Sequence, residues 1–183
     1  MSEYNKRTDT VYIEPSPSAD SRTAKGPISQ EELLRSSQMH IDDVRSALAF
    51  IRHRLFLAGL NHDRTKIKYI EEFYRDFSQP ETGAKFKEKD WYQKRHLTER
   101  HHLPDRCPLD VNLIDVIERV CDICMAGLAR SGEVYDDKLA PEILERAYQN
   151  TIKLLLNHTV VVGPSQDRVS TMQELLKEGS DED

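Results

Sequence analysis

The sequence predicts an all-α fold of about five to seven helices, and three observations carry that reading. Apolar residues recur at spacings of three and four through most of the chain's middle. The breaks between those stretches fall at glycine or proline. Only Thr159-Val-Val-Val162 reads as extended, and four residues do not make a sheet.

The elements follow in order. Residues 1–28 contain Pro15-Ser-Pro17 and Gly26-Pro27 with almost no aliphatic periodicity, so a disordered tail is expected there. Ser29 before Gln30-Glu31-Glu32 suits a helix N-terminus. Ile41, Val44, Leu48, Ile51 and Leu55 then form a helical stripe that Gly59 is expected to close. A second helix is expected from near Asp63, with Ile67, Ile70, Phe73, Tyr74 and Phe77, ending before Pro80. Residues 86–101 are charged and aromatic, with Trp91, Tyr92 and Leu97 as their anchors.

Pro104 and Pro108 bracket a turn. The clearest helix follows, from Leu109 to about Arg130, with Leu113, Ile114, Ile117, Val120, Cys121, Cys124, Met125 and Leu128 as a wide apolar stripe. Gly132 stops it, and Pro141 suits the first position of another helix carrying Ile143, Leu144, Ala147, Ile152, Leu155 and Leu156. Residues 163–183 read as a linker, a short amphipathic piece (Val169, Met172, Leu175, Leu176) and an acidic tail. The helical domain is therefore expected over 29–162.

Composition narrows the function. The 183 residues include 32 acidic and 26 basic side chains, a formal charge of -6, which argues against broad, sequence-blind nucleic-acid binding. No apolar run approaches the roughly 18–20 residues of a membrane helix. Three cysteines give no disulfide framework, and the residues after Met1 form no apolar leader. The expectation is a soluble, cytoplasmic protein without membrane partners. The pair Cys121-x-x-Cys124 is expected to pack in the core.

The histidines are placed suggestively. His62 and Asp63 are adjacent at a helix junction; His96, His101 and His102 cluster; His40 begins a helix; Asp122 lies in the strongest one. Imidazole and carboxylate suit divalent first-row metals, and a helical bundle can aim side chains from several helices at one point. Asp122 follows Glu118 by one turn at the border of the apolar stripe, where a carboxylate is costly unless paired or on a metal. Pairing with Arg119 or Arg130 is the bland alternative for it.

The motifs His62-Asp-x-x-Lys66, His96-x4-His101-His102 and Asp122 on a helix, in that order, resemble the signature of the HD-domain metal-dependent phosphohydrolases. The segment from about 40 to 158 also resembles a poorly characterised, phage-rich family of small HD-like proteins. A Gly-Tyr-Pro element found in one branch is missing, since Leu103-Pro104-Asp105 follows His101-His102. The resemblance implies an HD-like helical bundle with one or two divalent ions (Mn, Fe, Co, Zn or Mg). It implies His40, His62, Asp63, His96, His101, His102 and Asp122 as ligands, with His53 as the alternative to His40.

Lys66, one turn after Asp63, would hold a phosphate oxygen, or else pair with Glu71 or Asp63, and Glu118 would orient a ligand histidine, or else be a plain surface carboxylate. Arg64, Lys94, Arg95, Arg100 and Arg130 are further candidate phosphate contacts. The implied activity is hydrolysis of a phosphate ester or anhydride of a nucleotide-type small molecule, with a homo-oligomer left open. If the chain is phage-encoded, its place is the host cytoplasm. The rival class is a phage-type accessory or inhibitory protein that binds metal or nucleotide without turnover.

Overall fold

The computed structural model describes residues 9–16, 18, 22, 26–78 and 85–162. It is all-α apart from two three-residue strands, as the periodicity predicts. The chain divides into two compact units, Met1–His53 with Leu154–Asp183, and Arg54–Lys153. No helix among the described residues is long and apolar enough to cross a membrane. The amphipathic piece and acidic tail expected after residue 162 lie outside the described residues.

In the first unit, strand β1 (Val11–Ile13) pairs in parallel with strand β2 (Thr159–Val161). Val11 donates to the His158 carbonyl at 2.7 Å and is only 3% exposed. Residues 1–28 were expected to be a tail throughout, and this strand corrects that. A three-residue Val-Tyr-Ile run shows no period of its own; pairing with the distant Thr159–Val161 run is what orders it. Helix α1 (Gln30–Asn61) begins where Ser29 Oγ accepts the Glu32 amide. It does not stop at Gly59, because helical geometry tolerates an isolated glycine at about 1 kcal/mol. It buries Ser36 and Phe50 in this unit, Phe50 packing on the His158 ring at 5.0 Å, while Ile41, Val44 and Leu48 of the expected stripe are exposed.

Among the described residues, the second unit carries α2 (Arg64–Lys68), α3 (Ile70–Phe77), α4 (Asp90–Lys94), α5 (Leu113–Ser131) and most of α6 (Pro141–Asn157). Two 3-10 turns, Phe86–Glu88 and His96–Thr98, flank α4. The single helix expected from Asp63 breaks at Tyr69, whose φ of -118° and ψ of 40° are not helical.

Two clusters form its interior. Trp91, Tyr92 and Leu97 pack with Tyr69, Phe73 and Phe86, so the predicted anchors of residues 86–101 are its centre. Leu103, Val111 and Ala147 pack with Cys107, Leu113, Val116, Leu139 and Ile143.

Local caps fix where these helices start and stop. Asn112 accepts the Ile114 amide and Asp115 accepts the Asn112 amide, a reciprocal cap that starts α5 at Leu113, four residues after the expected Leu109. Gly132 ends α5 with a φ of 79°. Of the expected α5 stripe, Ile114 is buried, but Ile117, Val120, Cys121, Met125 and Leu128 are exposed. The periodicity is real, yet the chain covers only part of that face. The core placement expected of Cys121 is therefore corrected; Cys124 is half-buried.

Asp76 illustrates how the aromatic cluster is held. Its buried carboxylate accepts the Trp91 amide at 2.9 Å, one of the α4 first-turn N–H groups without an intrahelical partner. That bond holds the Asp76 carboxyl below its ordinary value. Because the folded value is lowered, the bond stabilises above the ordinary carboxylate range and is lost as pH falls through the folded value. Asp76→Ala is expected to cost about 1–3 kcal/mol by orphaning a buried donor. Asp76→Asn should flatten the acid limb of the stability curve, and chemical denaturation at pH 7 and pH 3 measures both effects.

Candidate metal centre

All the atoms of the candidate centre belong to the second unit. Asn61 ends α1, and its side chain bonds back to the Leu57 carbonyl. Asp63 then adopts φ 54° and ψ 21°, a left-handed conformation that aspartate tolerates better than most residues. This corner sits between α1 and α2 and presents His62 and Asp63 to one point. His62 Nε2 lies 3.5 Å from Asp63 Oδ2 and 3.7 Å from Asp122 Oδ1.

The other histidines arrive from the loop before α5. His101 is fully buried, with Nε2 3.8 Å from Asp63 Oδ1 and 4.0 Å from Asp122 Oδ2. His96 Nε2 is 3.8 Å from Asp63 Oδ1 and 2.9 Å from His102 Nε2. Asp63, His101 and His102 offer ligand atoms within 4.8 Å of one another, and so do His62, Asp63 and Asp122. Six of the seven ligands that the resemblance implied thus come together.

His40 belongs to the first unit. It is exposed on α1, about six turns before that helix ends. His53, the alternative, faces Asp9 at 3.7 Å in that same first unit.

Helix α5 builds the back of the site with two neighbouring ridges. On one, Glu118 Oε1 lies 2.9 Å from His62 Nδ1 and 3.0 Å from His101 Nδ1. The first contact is a hydrogen bond; the second is close but off the bonding direction. One turn on, Asp122 faces the Nε2 side of the same two rings, not Arg119 or Arg130. On the other ridge, Asp115 takes both branches of the Arg100 guanidinium at 2.7 and 2.8 Å. Arg119 pairs with Asp137 and donates to the His101 carbonyl at 3.2 Å. The His101-His102 segment is therefore tied to α5 on both sides.

The electrostatics favour a cation. Burial pushes His102 down to about 3 and His96 down to about 4, the latter against the pull of Asp63. Both rings are thereby held toward the neutral form, and with 2.9 Å between their Nε2 atoms one of them donates to the other. Burial works to raise Asp63 and Glu118, but both are held below their ordinary values, Asp63 by Lys66 and Glu118 by His101 and His62. Asp63 Oδ1 and His101 Nε2 are buried with no hydrogen-bond partner. Such orphaned atoms are costly in a finished core and are what a metal site needs. The donor set of imidazole nitrogen and carboxylate oxygen fits a divalent transition ion.

The candidate phosphate contacts fare differently. Lys66 forms an ion pair with Asp63 and is 30% exposed. Arg95 is paired with Glu72, Lys94 with Asp90, and Arg100 with Asp115 and Asp110. Arg64 bonds Asn61 and lines an open hollow of about 500 Å³ with Ile67 and Lys68. Thr65 and Glu99, which the sequence did not single out, bond to each other beside His96. Nothing in a lone Thr-Lys or Thr-Glu-Arg run could have marked them.

Comparison with family models, curated proteins and solved structures finds no match for this chain. The site's class is therefore read from its geometry: a cluster of histidine and acidic side chains, in a helical protein, that could hold a metal ion.

Proposed function

We propose that this chain is a metal-dependent phosphohydrolase acting on a phosphate ester or anhydride of a nucleotide-type small molecule. The observation that carries the reading is the convergence of His62, Asp63, His96, His101, His102 and Asp122, with three of their buried atoms without a hydrogen-bond partner. His62, His101, Asp63 and Asp122 would hold one ion, and His96 and His102 stand ready beside Asp63 for the same ion or a second. A bound divalent cation lowers the pKa of a coordinated water and takes up charge on a phosphoryl oxygen.

The chain's own residues do the rest. Glu118 accepts at Nδ1 of His62, which turns that ring's Nε2 lone pair inward. The buried His101 and the aromatic wall beside His96 keep bulk water from the inner half of the site. Lys66 reaches Asp63 while remaining partly exposed, so it can exchange that partner for an incoming phosphate oxygen.

The test pairs elemental analysis with a phosphate-release screen across nucleotides in the presence of Mn²⁺. Metal uptake with release from at least one nucleotide is the expected result. Retained metal with no release from any phosphate ester would assign the chain to a binding role without turnover. Within that screen, Lys66→Ala is expected to keep its metal and lose about 1.5–3 kcal/mol of substrate or transition-state binding, the scale of a charged hydrogen bond. Wild-type turnover in that variant would remove Lys66 from the phosphate contacts.

A further inference from the structure

Asp63 is the one non-glycine residue with positive φ among the described residues, and it stands at the centre of the cluster. A sparsely populated conformation persists only where its surroundings over-determine it. Bonds on the residue two places on tie this corner to the His96 turn. We infer that Thr65 and Glu99 are positioning residues of the metal centre, holding the Asp63 corner and the His96 ring in the geometry that receives the ion. This rests on the metal-binding reading above.

Thr65 lies in the first turn of α2, where the amide has no intrahelical acceptor. It donates instead to Glu99 Oε1 at 2.8 Å. Glu99 is no remote partner, since its own amide donates to the His96 carbonyl at 2.9 Å and closes the 3-10 turn that carries His96. The same threonine reaches that turn again through its side chain, with Oγ1 3.2 Å from His96 Nδ1. Two bonds from one residue therefore fasten the start of α2 to the His96 turn. Asp63 Oδ1 and His96 Nε2, at 3.8 Å, are set by this clamp.

The side-chain bond also bears on the proton. The threonine hydroxyl can accept an Nδ1 proton, and in that tautomer the Nε2 lone pair of His96 faces Asp63 and His102. Glu118 imposes the same tautomer on His62 from the opposite side of the cluster. The centre is thus oriented from two flanks, by a carboxylate on α5 and by the Thr65–Glu99 pair on α2 and the His96 turn.

The experiment titrates metal-free protein with Co²⁺, reading the dissociation constant and the visible absorption bands, alongside the metal-free melting temperature. Thr65→Val keeps the side-chain shape without the hydroxyl and is expected to weaken Co²⁺ binding about 10–100-fold with altered bands. Thr65→Ser should restore both. Glu99→Ala is expected to weaken binding similarly, and Glu99→Gln, which keeps an oxygen acceptor, less. A merely structural role would move the melting temperature without changing the bands or showing rescue by serine. Thr65→Val and Glu99→Ala binding Co²⁺ within twofold of wild type, with unchanged bands, would overturn this inference alone. Wild-type protein that takes up no Co²⁺ would overturn the metal reading and this inference with it.

Discussion

Asp63→Asn is expected to leave the purified protein with less than about a hundredth of the wild-type metal affinity while the metal-free fold survives. A lost outer-shell partner costs about 10–100-fold in affinity, and a lost central ligand exceeds that. Asparagine tolerates the left-handed corner that Asp63 occupies, so the backbone need not move. The lost pair with Lys66 is partly exposed and is worth about 0–1 kcal/mol. Asp63→Ala should lose the metal equally and destabilise by about 1–2 kcal/mol more, because a Cβ without a polar group is strained at positive φ. Elemental analysis with melting curves, with and without chelator, separates the two losses. A variant that keeps its metal would move the centre away from Asp63.

Trp91→Ala is expected to be the most damaging core substitution. Trp91 is fully buried, stacked on Phe73 at 4.1 Å and on His96 at 4.7 Å. Truncating a buried tryptophan costs about 3–5 kcal/mol, a drop of roughly 10–15 °C in melting temperature for a chain of this size. The ring that flattens His96 goes with it, so metal affinity should fall as well. Trp91→Phe should cost much less, since the indole N–H is buried without a partner and its loss orphans nothing. Calorimetry of both variants checks the order. A Trp91→Ala protein melting within about 3 °C of wild type would show that the aromatic cluster does not hold this unit together.

These two residues were legible in the sequence to different depths. Trp91 stood out with Tyr92 and Leu97 because few other apolar residues surround them in 86–101, so these must anchor the run. Asp63 stood out by its neighbour His62 and by the order of the later histidines. Glu118 was legible as one turn before Asp122, although its contact with two rings was not. His40 was read as the start of a helix, and α1 instead begins at Gln30. A histidine at a helix start carries no signal of direction, and an unbroken α1 places it about six turns from the helix end that leads into His62.

What the sequence determined by itself is local. Ser29, Gly132 and Pro141 act on their own backbone through capping, a left-handed φ and a preset φ, so helix class and several boundaries follow from neighbours alone. The tertiary structure decided everything that depends on which faces meet. Ile114 and Ile117 share one period, yet one is buried and the other exposed. Val11–Ile13 is a strand only because Thr159–Val161 lies beside it. Thr65 and Glu99 are ordinary in sequence and become partners only when the His96 turn packs on the start of α2, because hydrogen bonds between residues 34 positions apart leave no periodic trace.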